Sequence, residues 1–264
     1  MTHISVIVAT YERCEQCKRA VASALAQAPP PLEVIVCDDG SSDGTQEAFE
    51  EWSRREARLR YLRIPKNTGV PAIVRNLGIG QASGDWLAFL DDDDRWLPSK
   101  LAAQSSFLTG TFDVIGGNAE LESGGRYFVD TGVLSAPLRR DILHTNPIIL
   151  STAVARRSLV MAVGGFPTNA RLLEDYALWL ELADAGARFL VLPTSLVVYE
   201  DGTRTRFSER RLAVHAAIAR YMTVRWLRRP RDRELARAAL VHVFRALKVA
   251  VRTPLDYLGR RRQR

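Results

Sequence analysis

The sequence predicts an α/β protein: a Rossmann-like mixed, mostly parallel sheet flanked by helices, with a helical extension at its C-terminal end. Two observations carry that prediction. Short apolar runs alternate with helical patterns from His3 to Leu90, as βαβ units require. Those runs end in polar or acidic residues: Thr10-Tyr11, Asp38-Asp39 and Asp91-Asp92-Asp93-Asp94. Sheets of this kind bind ligands at the carboxyl ends of their strands, so three separated segments deliver polar groups to one crevice.

His3 to Ala9 is a β-branched apolar run, typical of a strand covered on both faces. Thr10 to Arg13 is a polar turn, and a helical pattern follows to Gln27 with Ala20, Val21, Ala24 and Leu25 as its stripe. Pro29, Pro30 and Pro31 stop it. Leu32 to Cys37 is a second buried strand. Asp43 and Gln46 read as a capping box for a helix beginning near Thr45. Leu59 to Ile64 alternates like a third strand, Asn67-Thr68-Gly69 is turn chemistry, and Val70 to Ala82 reads as a helix. Trp86 to Leu90 is then a buried strand that ends in the four carboxylates, with Trp96 just beyond.

Past Trp96 the pattern changes. Leu97 to Leu108 reads as a helix opened by Pro98. Asp113 to Val133 holds short strands and glycines, Ile148 to Ala155 is strand-like, and Ser158 to Val163 is a short helix. A Gly164-Gly165-Phe166-Pro167 turn precedes a helix from Glu174 to about Ala185. Phe189 to Tyr199 is strand-rich, and the chain from Ser208 onward reads helical, broken near Pro230 and Pro254. The expected division is residues 1–95 and 96–207 as two parts of one domain, the first carrying the strand-end crevice, and 208–264 as a basic helical extension.

Composition narrows the function classes. The chain has 264 residues, 47% apolar and 25% charged, enough for a sizeable core. No run of about 18 uncharged apolar residues occurs, so a spanning helix is not expected. The start lacks a basic leader region, so a signal peptide is not expected either. Three cysteines, an odd number, point to a reducing, cytoplasmic compartment. The net charge of +7 is uneven: Thr205 to Arg264 carries 17 basic and 4 acidic residues, leaving the rest net acidic. Such a tail favours an anionic membrane surface or nucleic acid, or is a solvated helical face. Val241, Phe244, Leu247 and Val251 on one helical face, among arginines, fit a helix lying on a membrane.

Four adjacent carboxylates repel one another unless a cation sits among them. A hard divalent cation held by carboxylate oxygens answers that, and a solvated acidic turn is the alternative. A carboxylate at Asp39 can accept from a nucleobase or a ribose hydroxyl, or shape the turn. Tyr11 can stack on a base or stand half exposed. Arg75, on an otherwise apolar helix, can neutralise phosphate or reach out to solvent. Glu174 and Asp175 favour a helix N-terminus, and a carboxylate held there can also act as a general base. Cys14 and Cys17 stand where a redox CxxC would, but nothing else in the chain calls for redox chemistry. The four histidines are scattered without ligand spacing and read as structural.

The segments VIVCDDGSSDGT, NTGVPAIVRNLGI, GDWLAFLDDDDRWLPSKL, VGGF and LEDYALWL, after a strand ending in Thr10-Tyr11, resemble the family 2 glycosyltransferases of the GT-A fold. The resemblance runs from Ile4 to Leu182. It implies an inverting transferase that moves a sugar from a nucleotide diphosphate, UDP first among the candidates, to an acceptor hydroxyl with Mn²⁺ or Mg²⁺. By the resemblance Asp39 contacts the base and Tyr11 stacks near it. Asp91 and Asp93 form the DxD element, with Asp92 near the ribose and Asp93 on the metal. Arg75 faces phosphate and Asp175 is the base. A glycan or lipid-linked acceptor in surface polysaccharide or glycolipid assembly follows, with no nucleic acid expected. The sequence departs from the family at Tyr199-Glu200-Asp201-Gly202-Thr203-Arg204, where a Tyr-Arg-x-His-like stretch is frequent, so pyrophosphate contacts from Arg204 or Arg206 stay open. The alternatives are a non-catalytic sugar-nucleotide or glycan-binding protein, a nucleotidyltransferase, which would want a glycine-rich loop after the first strand, and a nucleic-acid binder, which leaves the quartet unexplained.

Overall fold

The structure is a computed structural model, and it describes residues 2–128, 136–170, 172–200 and 204–261, the side chains of 204–212 and 251–261 excepted. The first half repeats strand and helix: β1 (Ile4–Thr10), α1 (Cys14–Leu25), β2 (Glu33–Asp38), α2 (Thr45–Arg55), β3 (Leu59–Arg63), α3 (Pro71–Gln81) and β4 (Trp86–Asp91). The second half follows with β5 (Arg95–Trp96), α4 (Lys100–Ser105), β6 (Val114–Leu121), α5 (Arg139–His144), β7 (Val154–Arg156), α6 (Arg157–Ala162), α7 (Glu174–Asp184), β8 (Phe189–Tyr199), α8 (Arg204–Arg228) and α9 (Arg233–Arg261).

One sheet of eight strands runs β3-β2-β1-β4-β7-β6-β8-β5. β1 to β4 are parallel, β7 runs antiparallel to both β4 and β6, and β6 is parallel to β8. The alternation of side chains along each strand builds a core on each face. Val6, Val8, Val34 and Val36 pack against α1 and α2, whereas Ile7, Ile35, Leu87 and Phe89 pack against α3 and α7. α8 and α9 reach the second of these cores through Met222, Leu235 and Ala238. Among the described residues no helix is long and apolar enough to cross a membrane.

Several local expectations are corrected. The strand expected over Ile148 to Ala155 is a 3-10 turn, Leu150–Thr152, followed by the short β7. The helix expected from Leu97 begins only at Lys100, because the chain before Pro98 pairs with β8 as β5. The capping box does not form. Gly44 caps α2 in a left-handed conformation, Gln46 bonds Glu50, and Asp43 instead accepts from the N–H of Cys14 and the hydroxyl of Thr45. The last helix continues through Pro254.

Candidate functional site

The strand order reverses between β1 and its two neighbours, which opens a crevice at the carboxyl edge of the sheet. The register sets Ala9 opposite Asp91 on one side and Thr10 opposite Asp38 on the other. The quartet alternates there. Asp92 and Asp94 are buried, at 6% and 2% exposure, while Asp91 and Asp93 are half buried, and Asp91 lines a cavity.

The cations among these acids belong to the protein. Arg75 Nη2 lies 2.6 Å from Asp91 Oδ1. Arg13 Nη1 lies 2.9 Å from Asp92 Oδ1 and 2.6 Å from Asp93 Oδ2. Thr10 donates its hydroxyl to Asp92 at 2.8 Å, and Asp94 accepts from the Ser151 hydroxyl and the Glu200 N–H. Two arginines therefore carry part of what the sequence reading gave to a metal alone. Burial, with Asp91 and Asp92 adding to it, pushes the Asp93 carboxyl up to about 6. Burial also raises Asp92, against the pull of Arg13. On Arg13 burial works against the charge, but Asp92 and Asp93 outweigh it and raise the guanidinium. Sequence reasoning passed over Arg13 as a turn residue. Its place three residues beyond a strand end was the signal that could have found it.

Asp39 is buried and ties a loop to the sheet edge. Its carboxylate accepts from the Thr68 N–H at 3.0 Å, the Thr68 hydroxyl at 3.1 Å and the Gly69 N–H at 3.1 Å. Asp38 is structural, held by Ser41 and by the Tyr61 hydroxyl at 2.6 Å. Tyr11 stands exposed at the mouth, at 43%. Arg75 is buried at 8%, stacked over Phe166 at 5.4 Å, and 4.0 Å from Glu174 Oε1. Phe166 is held by a reciprocal pair of bonds between its backbone and the Asn76 amide, at 2.8 and 2.9 Å. That pairing explains the glycines of the preceding turn: Gly165 has φ +74°, and a Cβ there would lie 2.4 Å from Asn76 Oδ1.

Asp175 is the second residue of α7 and accepts from Asn146 Nδ2 at 3.0 Å. Burial raises its pKa, and the neighbouring Glu174 charge adds to the rise. Glu174 Oε2 is buried with no hydrogen-bond partner. Asp175 and Asp91 line one cavity of about 540 Å³, together with Arg13, Asn146, Tyr127 and Tyr199. Tyr11 and Asp39 lie at the adjoining strand ends and do not line it. The side chains of Arg204 and Arg206 fall outside the described residues.

One sequence reading changes here. His144, His215 and His242, read as scattered, all line this cavity. The CxxC is not a redox pair: Cys17 is fully buried and burial pushes its thiol pKa well up. Among the described residues no group of three or more His, Cys, Asp or Glu is disposed to hold a metal ion. Asp91 and Asp93 offer carboxylate oxygens two residues apart, a donor set that fits an ion completing its shell with substrate phosphates.

Known proteins of the same shape and pattern are sugar transferases. The chain superposes on the mannosyltransferase PcManGT of Pyrobaculum calidifontis, solved with GDP-Man and Mn²⁺, with a TM-score of 0.66 at 21% identity over 97% of this chain and 78% of that one. It superposes equally, at 0.66 and 24% identity, on residues 1-349 of S. aureus TarS in complex with UDP-GlcNAc, covering 84% of this chain and 66% of that one. Both are GT-A transferases, so the expected fold stands. An Escherichia coli protein described as UDP-Glc:α-D-GlcNAc-diphosphoundecaprenol β-1,3-glucosyltransferase WfaP is 32% identical over 71% of this chain and 73% of its own length. An uncharacterized glycosyltransferase of Rickettsia felis is 33% identical over 69% of this chain, and the chain spans about 30% of the length of that relative. The sequence profile described as Glycosyl transferase family 2 matches residues 5–158, a span that runs from the second residue of β1 past β4 and holds Arg13, Arg75 and the acidic quartet. The chain belongs to glycosyl transferase family 2.

Proposed function

We propose that the protein transfers a sugar from a nucleotide-diphosphate sugar, UDP-linked, to an acceptor hydroxyl, with inversion, in surface polysaccharide or glycolipid assembly. The observation that carries this is the single cavity in which Asp91, at the end of β4, and Asp175, at the start of α7, meet. Residues 1–95 hold the donor, 96–207 supply the acceptor side, and 208–264 form the basic extension. Thr10, Tyr11, Asp39 and Asp92 place the base and ribose. Arg75 faces the diphosphate, with its guanidinium already fixed by Asp91 and Phe166.

Mn²⁺ or Mg²⁺ on Asp93, supported by Asp91, supplies charge neutralisation for the departing diphosphate when bound. Asp93 would hold the ion beside Arg13, which is anchored by its bond to Asp92. Asp175 accepts the proton of the acceptor hydroxyl as the hydroxyl oxygen attacks the anomeric carbon from the side opposite the leaving group. Asn146 holds the receiving carboxylate in line. The relative WfaP acts on a diphosphoundecaprenol-linked sugar, and a glycan or lipid-linked acceptor is the reading for this chain.

The reading extends to a peripheral place on the cytoplasmic membrane face. Leu240, Phe244 and Leu247 share the solvent side of α9 at 69%, 68% and 59% exposure, while Leu235, Ala238 and His242 bury the other side. Arg233, Arg237 and Lys248 are exposed along the same helix. A helix apolar on both faces and basic at its edges suits an anionic lipid surface. The further sequence-read residues Val251 and Arg252 to Arg264 have side chains outside those described. Phe244→Glu should weaken co-sedimentation with phosphatidylglycerol vesicles, and unchanged binding would count against this placement.

The donor site is tested by thermal stabilisation with UDP, dTDP, GDP and CDP, each with and without Mn²⁺, against Asp93→Ala. A ligand at about 100 times its dissociation constant adds about 2.7 kcal/mol. At this size each kcal/mol moves Tm by about 2–4 °C. The expected result is a metal-dependent shift with UDP that the variant loses. No shift with any nucleotide would leave the transferase reading without a donor.

A further inference from the structure

The cavity that holds Asp91 and Asp175 also has an aromatic wall that the reaction as derived does not use. After β6 the chain turns back at Gly124 and Gly125, and Arg126 bridges antiparallel to Glu120. The turn brings Tyr127 and Phe128 to the end of β8, where Tyr199 pairs in register with Leu121. Tyr127, Phe128 and Tyr199 all line the cavity. The Tyr127 ring lies 5.2 Å from that of Phe128 and 5.5 Å from that of Tyr199, at interplanar angles of 82° and 67°.

Two properties make this wall a platform. Its backbone is fixed: the Tyr127 N–H donates to the Ala119 carbonyl at 3.0 Å, and the Phe128 backbone exchanges bonds of 3.0 and 3.1 Å with the amide of Asn118, fully buried in β6. A tyrosine so anchored has only two torsions to order on contact. Its ring is also left open. Both neighbours meet Tyr127 edge-on and neither stacks flat against it, and the residue keeps 44% of its surface exposed. Burial in the wall and then the Asp175 charge raise the Tyr127 hydroxyl, whereas burial and then the Asp94 charge raise that of Tyr199. Tyr127 therefore stands toward the base and Tyr199 toward the acidic quartet.

We infer that Tyr127, braced by Phe128 and Tyr199, is the platform on which the sugar ring of the acceptor packs, so that the attacking hydroxyl belongs to a pyranose. A pyranose has a face of axial C–H bonds, which are drawn to the negative face of an aromatic ring, and a rim of hydroxyls that need polar partners. The cavity supplies both, since Asn146 and Asp175 line it with Tyr127. A ring lying on Tyr127 turns its hydroxyl rim toward the carboxylate that takes the proton. An open-chain polyol has no such face, and a prenyl chain has no such rim. The inference rests on the transferase reading for the ring's role as acceptor, but not for the binding itself.

The test uses the full chain with UDP present, as wild type, Tyr127→Ala and Tyr127→Phe. The probes are the methyl pyranosides of glucose, galactose, mannose and N-acetylglucosamine, and open-chain glucitol, titrated by saturation-transfer NMR. The expected result is that at least one pyranoside binds the wild type, with saturation strongest at its ring C–H protons. Its affinity should fall by about tenfold or more in Tyr127→Ala and stay within about twofold in Tyr127→Phe. Glucitol should not bind, and UDP alone should bind all three proteins equally, which also shows that the variants are folded. Failure of every pyranoside to bind the wild type overturns the platform. So does pyranoside binding that ignores Tyr127→Ala, or glucitol binding as tightly with the same loss. A loss of UDP-glucose binding in Tyr127→Ala beyond that of UDP would put the donor's sugar on the ring and overturn the acceptor assignment. Absence of UDP binding in every protein would strike the transferase reading and leave a Tyr127-dependent pyranoside site standing.

Discussion

The two ends of the cavity are built by different means. At the sheet end Thr10, Asp91 and Asp92 follow directly from β1 and β4, and backbone pairing sets their positions. Every acid there has a partner on a neighbouring element: Arg75 from α3, Arg13 from the turn before α1, Ser151 from the 3-10 turn. At the helical end Asp175, His215 and Arg245 stand on three helices placed by side-chain packing and side-chain bonds such as Arg225 to Glu181 and His242 to the Leu143 carbonyl, with no sheet register behind them. Its charges are less fully paired, and Glu174 Oε2 is left without a donor. The sheet end is tied together by its own ion pairs and hydrogen bonds. Recognition of a common nucleotide suits the first arrangement and recognition of a particular acceptor suits the second.

The comparison breaks most sharply at Asp175. Asp175→Asn keeps the shape and the bond from Asn146 but cannot take a proton. Loss of a general base costs about 10²–10⁴-fold in rate. Transfer should fall by that factor while nucleotide binding at the sheet end, read by thermal shift, is unchanged. The pH dependence follows from the same residue. Its folded pKa is raised by burial and by Glu174, and the base works only when ionised. The rate should therefore rise with pH along a limb above the ordinary aspartate value of about 3.9. A variant that still transfers sugar at the wild-type rate would remove Asp175 as the base, whereas nucleotide binding without transfer by the wild type would point to a non-catalytic protein.

The seam between the two ends is Gly165. Alanine there puts a methyl carbon 2.4 Å from Asn76 Oδ1 at a φ of +74°, so either the turn or the amide pair must move. The expected cost is about 2 kcal/mol, a fall in Tm of roughly 4–8 °C. Phe166 is the ring beneath Arg75 and packs edge-on to Phe89 at 5.1 Å, so donor affinity should fall with stability. A stable variant with normal donor binding would show that the turn does not position Arg75.

What was legible in the sequence divides along the same line. The strands β1 to β4 and the acids at their ends were readable, because largely buried runs such as ISVIVAT and WLAFLD have one good reading and a strand end fixes where the next side chain goes. Ile148 to Ala155 was misread because a buried 3-10 turn and a buried strand share one composition. Asp175 was readable as a candidate through its own helix start. His144, His215 and Arg245 were not, since their meeting depends on how α5, α8 and α9 dock, and no local pattern encodes a contact across about a hundred residues. Arg13 fell between the two cases: local in sequence, but meaningful only once β1 pairs with β4.

The smallest expected effect tests how firmly the sheet end is set from behind. Lys100 is fully buried on α4, its Nζ 4.0 Å from the centre of the Trp96 ring and 2.8 Å from Gln104 Oε1. Trp96 in turn donates to the Ser151 carbonyl at 2.8 Å, and the Ser151 hydroxyl meets Asp91 and Asp94. Burial lowers the lysine pKa well below its usual value. Replacing a buried cation by an apolar residue of similar length is often neutral or stabilising by about 1–4 kcal/mol. Lys100→Met leaves Gln104 Oε1 without its donor, which offsets about 1–3 kcal/mol of that gain. The net expectation is a gain near 1 kcal/mol at neutral pH, or about 2–4 °C in Tm. The gain has a sign in pH. Above the lowered pKa the unfolded chain still binds a proton that the folded chain has released, so wild-type stability rises with pH until about 10.4, the usual lysine value. The advantage of Lys100→Met should shrink across that window. An advantage that stays constant to pH 10 would assign the gain to packing around Trp96 and remove burial of the ammonium as its cause.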